Sequence, residues 1–177
     1  VRRSFVPPAY EFDLSPDLDG IAQDMALLEL ELPVRANGIA PLDTGRRADR
    51  GDAVTVVSYG AEREAHASIE EGCLVLESHG PVRLLSCNVV QGSSGAPVMR
   101  MTDGGPEVVA VISATATDRT GRDVSMAVAL EGPFAGLLDQ MERGARPGGM
   151  SGAGTAVLPT IGDDGGRSQI GARFIRP

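Results

Sequence analysis

The sequence predicts an all-β fold, a sandwich or barrel of short strands packed mainly between residues 51 and 143. Three observations lead there. Between Ala53 and Leu130, short runs rich in Val, Ile, Ser and Thr recur, and clusters of Gly, Pro and Asp separate them. One stretch after them, Pro133 to Arg143, has helical spacing, with Pro at its start and Phe134, Leu137, Leu138 and Met141 on one face. The remainder, Gly144 onward, is rich in Gly, Ser and Asp without a lasting period and reads as a flexible tail over 144–177.

Taken in order, Val1 to Tyr10 reads as extended chain, because Pro7-Pro8 rules out a helix. Phe12 to Gly20 is acidic and turn-rich and reads as a surface loop. Alternation from Leu28 to Leu32 predicts a strand with one buried face, ended by Pro33. Arg35 to Gly51 is a polar connector. Two tripeptides in it carry little: Asp43-Thr44-Gly45 lacks an apolar strand around it, and Arg50-Gly51-Asp52 is turn chemistry before a strand. Six strands then follow, at Ala53–Tyr59, at Ala65–Ile69 continuing as Cys73–Glu77 after an interruption at Glu70-Glu71-Gly72, and at Val82–Ser86, Ala96–Met101, Val108–Ser113 and Val124–Leu130.

Composition bounds the function. At 177 residues, the chain fits one domain or a domain with a tail. Net charge is −8, and the sixteen basic residues are all scattered arginines, so no basic patch points to nucleic acid. No apolar run is long enough to span a bilayer. Cys73 and Cys87 are too few for a metal site of the CxxC kind, and no metal or cofactor is expected. The two flank one predicted hairpin, where a disulfide would add about 3 kcal/mol by chain entropy and imply an oxidising compartment. Two reduced cysteines filling a core fit the same spacing.

The chemistry centres on Cys87 to Met99, and within it on Gly92-Ser93-Ser94-Gly95-Ala96-Pro97. A nucleophilic serine needs a tight turn that projects its Oγ while backbone N–H groups converge on the carbonyl under attack. Glycine permits that backbone path. These residues resemble the nucleophile segment of trypsin-like (chymotrypsin-fold) serine peptidases, whose common form is Gly-Asp-Ser-Gly-Gly-Pro. GSSGAP is most similar to bacterial members, including the glutamyl endopeptidase-like group. The resemblance implies Ser94 as nucleophile and the N–H groups of Gly92 and Ser94 as oxyanion hole. Ser93 stands where animal enzymes have the aspartate that pairs with a newly cut amino terminus.

A second segment strengthens the likeness. Asp24-Met25-Ala26-Leu27-Leu28-Glu29-Leu30 resembles the family's Asp-Ile-Ala-Leu-Leu-x-Leu, which implies Asp24 as the acid that orients the catalytic histidine. The resemblance further implies a chymotrypsin-like double β-barrel. Residues 1–50 are then a remnant of the first barrel with its connector, and 51–143 the second six-stranded antiparallel barrel with the nucleophile loop and C-terminal helix. It places the substrate-binding residues Asn88 at the pocket base, Gln91, and Ser113 and Thr115 on the wall strand. With Asn88 in place of trypsin's aspartate and Ile112 in place of the glutamyl endopeptidases' histidine, a small or apolar side chain is the expected specificity.

One part is missing from the likeness. The family's base is a histidine upstream of the aspartate, and no histidine precedes Asp24. His66 and His79 both fall between Asp24 and Ser94, in places that suit surface histidines. Two strands also cannot close a first barrel. The expectation is therefore a serine endopeptidase that acts on protein or peptide, is secreted or periplasmic, and lacks its histidine in this chain. The alternative is a catalytically inactive peptidase-like binding module.

Overall fold

The structure, a computed structural model, describes residues 1–11, 13, 17–36, 38–60 and 66–145. The predicted tail over 144–177 begins later than expected, since Gly144 and Ala145 belong to the C-terminal helix, and residues 146–177 lie outside the described residues. In chain order the first elements are β1 (Arg3–Phe5), α1 (Leu18–Ala22), β2 (Leu27–Glu29), β3 (Asp43–Thr44) and β4 (Ala53–Ser58). They are followed by β5 (Ser68–His79), β6 (Val82–Leu85), β7 (Pro97–Thr102), β8 (Gly105–Thr117), β9 (Asp123–Ala129) and α2 (Pro133–Ala145).

Six of these strands close on themselves. The hydrogen-bonded order is β8-β7-β4-β5-β6-β9, and β9 returns to pair with β8 from Ala110↔Ala129 to Thr117↔Asp123. Every pairing around the ring is antiparallel, so the barrel has no free edge to cover. Alternation along the strands sends Val54, Val56, Val75, Leu85, Val98, Ala110, Ile112 and Ala127 into one buried cluster. Each branched side chain taken fully from water contributes about 1.5–3 kcal/mol, which makes this cluster the main source of stability.

Cys73 and Cys87 belong to that cluster and are joined as a disulfide, with Cα atoms 5.1 Å apart. The pair ties β5 to the segment that leads from β6 toward Ser94. An oxidising compartment is compatible with it.

A second cluster lies outside the barrel wall. Asp17 caps α1, its Oδ1 accepting from the Gly20 N–H at 2.8 Å. The cap turns Ile21, Ala22 and Met25 onto Val82 of β6 and Val128 of β9, where Leu130 and Leu137 complete the packing. Phe5 of β1 and Leu27 of β2 pack against the same cluster. α1, β1 and β2 thus form a strap across the barrel, and the strap places Asp24.

Several elements differ from the sequence reading. Of the surface loop expected over Phe12–Gly20, Leu18–Gly20 instead belong to α1, because Ile21 has an apolar wall to cover, while residues 12 and 14–16 lie outside the described residues. The second barrel strand is continuous through Glu70-Glu71-Gly72. Gly72 takes φ +71°, and the register shifts from Val54↔Cys73 to Val56↔Glu70, so the extra residue is absorbed as a bulge. β8 runs on to Thr117, and β3 adds a short parallel pair, Asp43↔Glu107 and Thr44↔Val108, within the expected connector.

The strand at Leu28–Leu32 is shorter, and its leucines face the other way. Leu27 and Glu29 form the half-buried side, where Glu29 pairs with Arg3, while Leu28, Leu30 and Leu32 are exposed. Among the described residues, no helix is long and apolar enough to cross a membrane.

Candidate active site

The segment Val90–Ala96 makes two consecutive tight turns that share Ser93. In the first, the Ser93 N–H donates to Val90 O at 3.2 Å, with Gly92 third in the turn at φ +93°. In the second, the Ala96 N–H donates to Ser93 O at 2.9 Å, with Gly95 third at φ +83°. Both third positions need a positive φ, which glycine adopts without strain. The spacing of Gly92 and Gly95 therefore fixes the loop shape.

Ser94 occupies the corner of the second turn and is exposed, whereas Ser93, shared by both turns, is 2% exposed. The shape also determines which backbone donors are used. The Gly95 N–H is taken by Ile112 O at 2.7 Å, and the Ile112 N–H returns to Ala96 O at 2.9 Å. Among the described residues, neither the Gly92 N–H nor the Ser94 N–H meets a backbone acceptor. These are the two donors that the sequence reading singled out.

Ser113 on β8 connects the remaining groups. Ser94 Oγ donates to the Ser113 carbonyl at 3.2 Å. The Ser113 hydroxyl donates to Asp24 Oδ2 at 2.6 Å. Asp24 and Ser94, expected from separate motifs, therefore meet through one strand residue, Ser113, which lies 89 positions from Asp24. Asp24 follows α1, where its own N–H is held by Ile21 O at 3.0 Å. Tyr10 belongs to the same neighbourhood: burial, and secondarily the Asp24 carboxylate, push its phenol above the ordinary tyrosine value.

Gln91 and Thr115 are exposed beside the turn and on the wall strand, and Thr115 pairs with Ser125 of β9. Asn88 is exposed as well, and its N–H donates to Glu70 Oε1 at 2.9 Å. Glu70 thus brings a carboxylate beside Asn88, a charge that the expected small or apolar specificity does not call for. Asp118, at the end of the same wall, is engaged locally: it accepts from the N–H and hydroxyl of Thr120 and from the N–H and guanidinium of Arg122. These bonds hold its carboxyl well below the usual carboxylate range.

The histidines stay apart from these groups. His79 lies at the tip of the β5–β6 hairpin, exposed, with Glu77 at 3.2 Å. His66 is exposed just before β5. Among the described residues, neither Ser94 nor Asp24 is bonded to a histidine. The same residues contain no group of three or more His, Cys, Asp or Glu arranged to hold a metal.

Compared with known proteins, the chain matches no family model and no curated protein.

Two contacts had no signal in the sequence. Ser93 Oγ donates to Ser58 Oγ at 3.1 Å, between two buried residues 35 positions apart. Glu70 reaches Asn88 from 18 positions away. Each depends on how β4 and β5 flank the loop, and no local pattern marks such residues.

Proposed function

We propose that this chain carries the nucleophile and the acid of a trypsin-like serine endopeptidase. One observation carries the reading: Ser94 and Asp24, expected from separate motifs, both bond to Ser113. In this reading the closed barrel is the second of a chymotrypsin-like pair, and β1 and β2 are part of the first. The disulfide supports a secreted or periplasmic setting.

Ser94 Oγ attacks the scissile carbonyl carbon while a base removes its proton, and the carbonyl electron pair moves onto oxygen. The N–H groups of Gly92 and Ser94, which meet no backbone acceptor among the described residues, receive that oxyanion. The intermediate collapses to an acyl-enzyme as the proton passes to the leaving amine, and water then releases the acid by the same steps in reverse order. Asp24, fixed by Ser113, orients the base and stabilises its charged form. The base is a histidine that this reading places outside the 177 residues.

The test is fluorophosphonate labelling of the full-length protein. Label should appear at Ser94 and disappear in Ser94→Ala. Labelling at another serine, or equal labelling of the variant, refutes the assignment. A second reading, an inactive peptidase-like binding module, is favoured by the lack of any histidine bond to Ser94 or Asp24 among the described residues. Full-length protein that binds peptide yet takes no label at all supports that reading instead.

A further inference from the structure

We propose that Ser58 is a positioning residue, whose hydroxyl sets the turn that presents Ser94. The inference rests on the reading of Ser94 as nucleophile and concerns what holds it in place. The turn lies between two strands. On one side β8 holds it through Gly95, Ala96 and the Ser94 hydroxyl. On the other side lies the end of β4, where Ser58 accepts from Ser93 Oγ at 3.1 Å.

Ser93 is the residue that both tight turns share, so its position fixes both. It is 2% exposed and Ser58 is 7% exposed, which shuts water out of the contact. Without Ser58, the Ser93 hydroxyl is buried with no other side-chain partner among the described residues. That costs more than the bond itself gains, and moving the turn outward is the simplest relief.

The end of β4 meets the loop a second time. A Cβ on Gly60 would lie 2.1 Å from Val90 Cγ2, so Val90 packs directly on that backbone. The seat is therefore shaped for the loop at two points, Ser58 under Ser93 and Gly60 under Val90.

The device is uncharged. A hydroxyl pair does not titrate near neutral pH and requires no newly cut amino terminus as partner. Ser93 is thus held by a contact that needs no charged partner.

Two measurements on full-length protein test the proposal. In hydrogen exchange read by peptide mass spectrometry, Ser58→Ala should speed exchange of the segment containing Gln91–Ala96 about tenfold, near the upper end of what one neutral hydrogen bond is worth. The β5–β6 hairpin should be unaffected, and Ser58→Thr, which keeps the hydroxyl, should restore slow exchange. If Ser58→Ala does not fold, Ser93→Ala removes the same bond from the other side. Unchanged exchange in the alanine variant overturns the proposal, whatever the probe chemistry shows. Fluorophosphonate kinetics provide the second readout: the labelling rate constant should fall about tenfold in Ser58→Ala with probe affinity unchanged. Wild-type protein that takes no label refutes the nucleophile reading, and the exchange result still decides the role of Ser58.

Discussion

Removing the Cys73–Cys87 disulfide should cost about 3 kcal/mol of stability. The bridge spans a sequence separation of 14. Chain entropy for a closed loop of about 15 residues gives about 3 kcal/mol at room temperature, acting on the unfolded state. Both half-cystines lie in the barrel core, so alanine is a milder replacement than serine, whose hydroxyls would need partners there. For a chain of this size, 3 kcal/mol corresponds to a fall in Tm of roughly 6–12 °C. The assay is thermal and urea unfolding of Cys73→Ala/Cys87→Ala beside the wild type, with non-reduced peptide mapping to establish the bridge. Since Cys87 is fully buried and Cys73 nearly so, reductant should cleave the wild-type bridge only as fast as the barrel opens. A loss under about 1 kcal/mol, or free thiols in folded wild-type protein, refutes the reasoning.

Further outcomes follow from other contacts. Ser113→Ala removes the donor to a half-buried Asp24 and should cost roughly 1.5–3 kcal/mol in urea unfolding, the range for a hydrogen bond to a charged group; no change would mean that Asp24 is held otherwise. Among these 177 residues Tyr59→Phe leaves Tyr10 as the one tyrosine, and the phenol signal that a further Tyr10→Phe removes should titrate above the ordinary value by ultraviolet absorbance. Asp24→Asn should bring that titration only partly back, because burial is the larger cause. The sign follows from a raised acid pKa: Tyr10's contribution is fully present below the unfolded value and is lost as pH rises through the folded one. Asp118 behaves in the opposite sense. Its folded pKa is depressed, so its contribution is present above the unfolded value and lost as pH falls through the folded one, and Asp118→Asn should flatten the acid limb of a stability profile. An unchanged limb would show that the bonds to Thr120 and Arg122 are not maintained in solution.

The barrel was largely legible in the sequence because its signals are local. Val54, Val56 and Val98 alternate with their neighbours, and glycines at 80, 105 and 121 sit at turns with positive φ. What escaped depends on tertiary partners. Glu70-Glu71-Gly72 reads as a break, and only the facing strand reveals that Gly72 lets β5 continue past Val54. The leucines at 28, 30 and 32 have the alternation of a buried face, yet the strap buries Leu27 and pairs Glu29 with Arg3. At the candidate site, Gly92, Gly95 and Ser94 were readable from turn chemistry. Asp24, Ser94 and Ser113 came through motif likeness, and the structure brings them together. Ser58 and Glu70 were not readable, since a hydroxyl at a strand end and a carboxylate at a bulge look like countless others.

The strap has a consequence for the covalent chain. Leu30, Leu32, Val34, Ile39 and Leu42 are exposed on the segment that joins β2 to β3. Asp24 is held to the barrel by Ser113 and by the Ile21–Met25 packing, not by that joining segment. A single peptide-bond cut there should leave Asp24 beside Ser94. The nicked molecule should then migrate as one body under native conditions and come apart at the cut in denaturant.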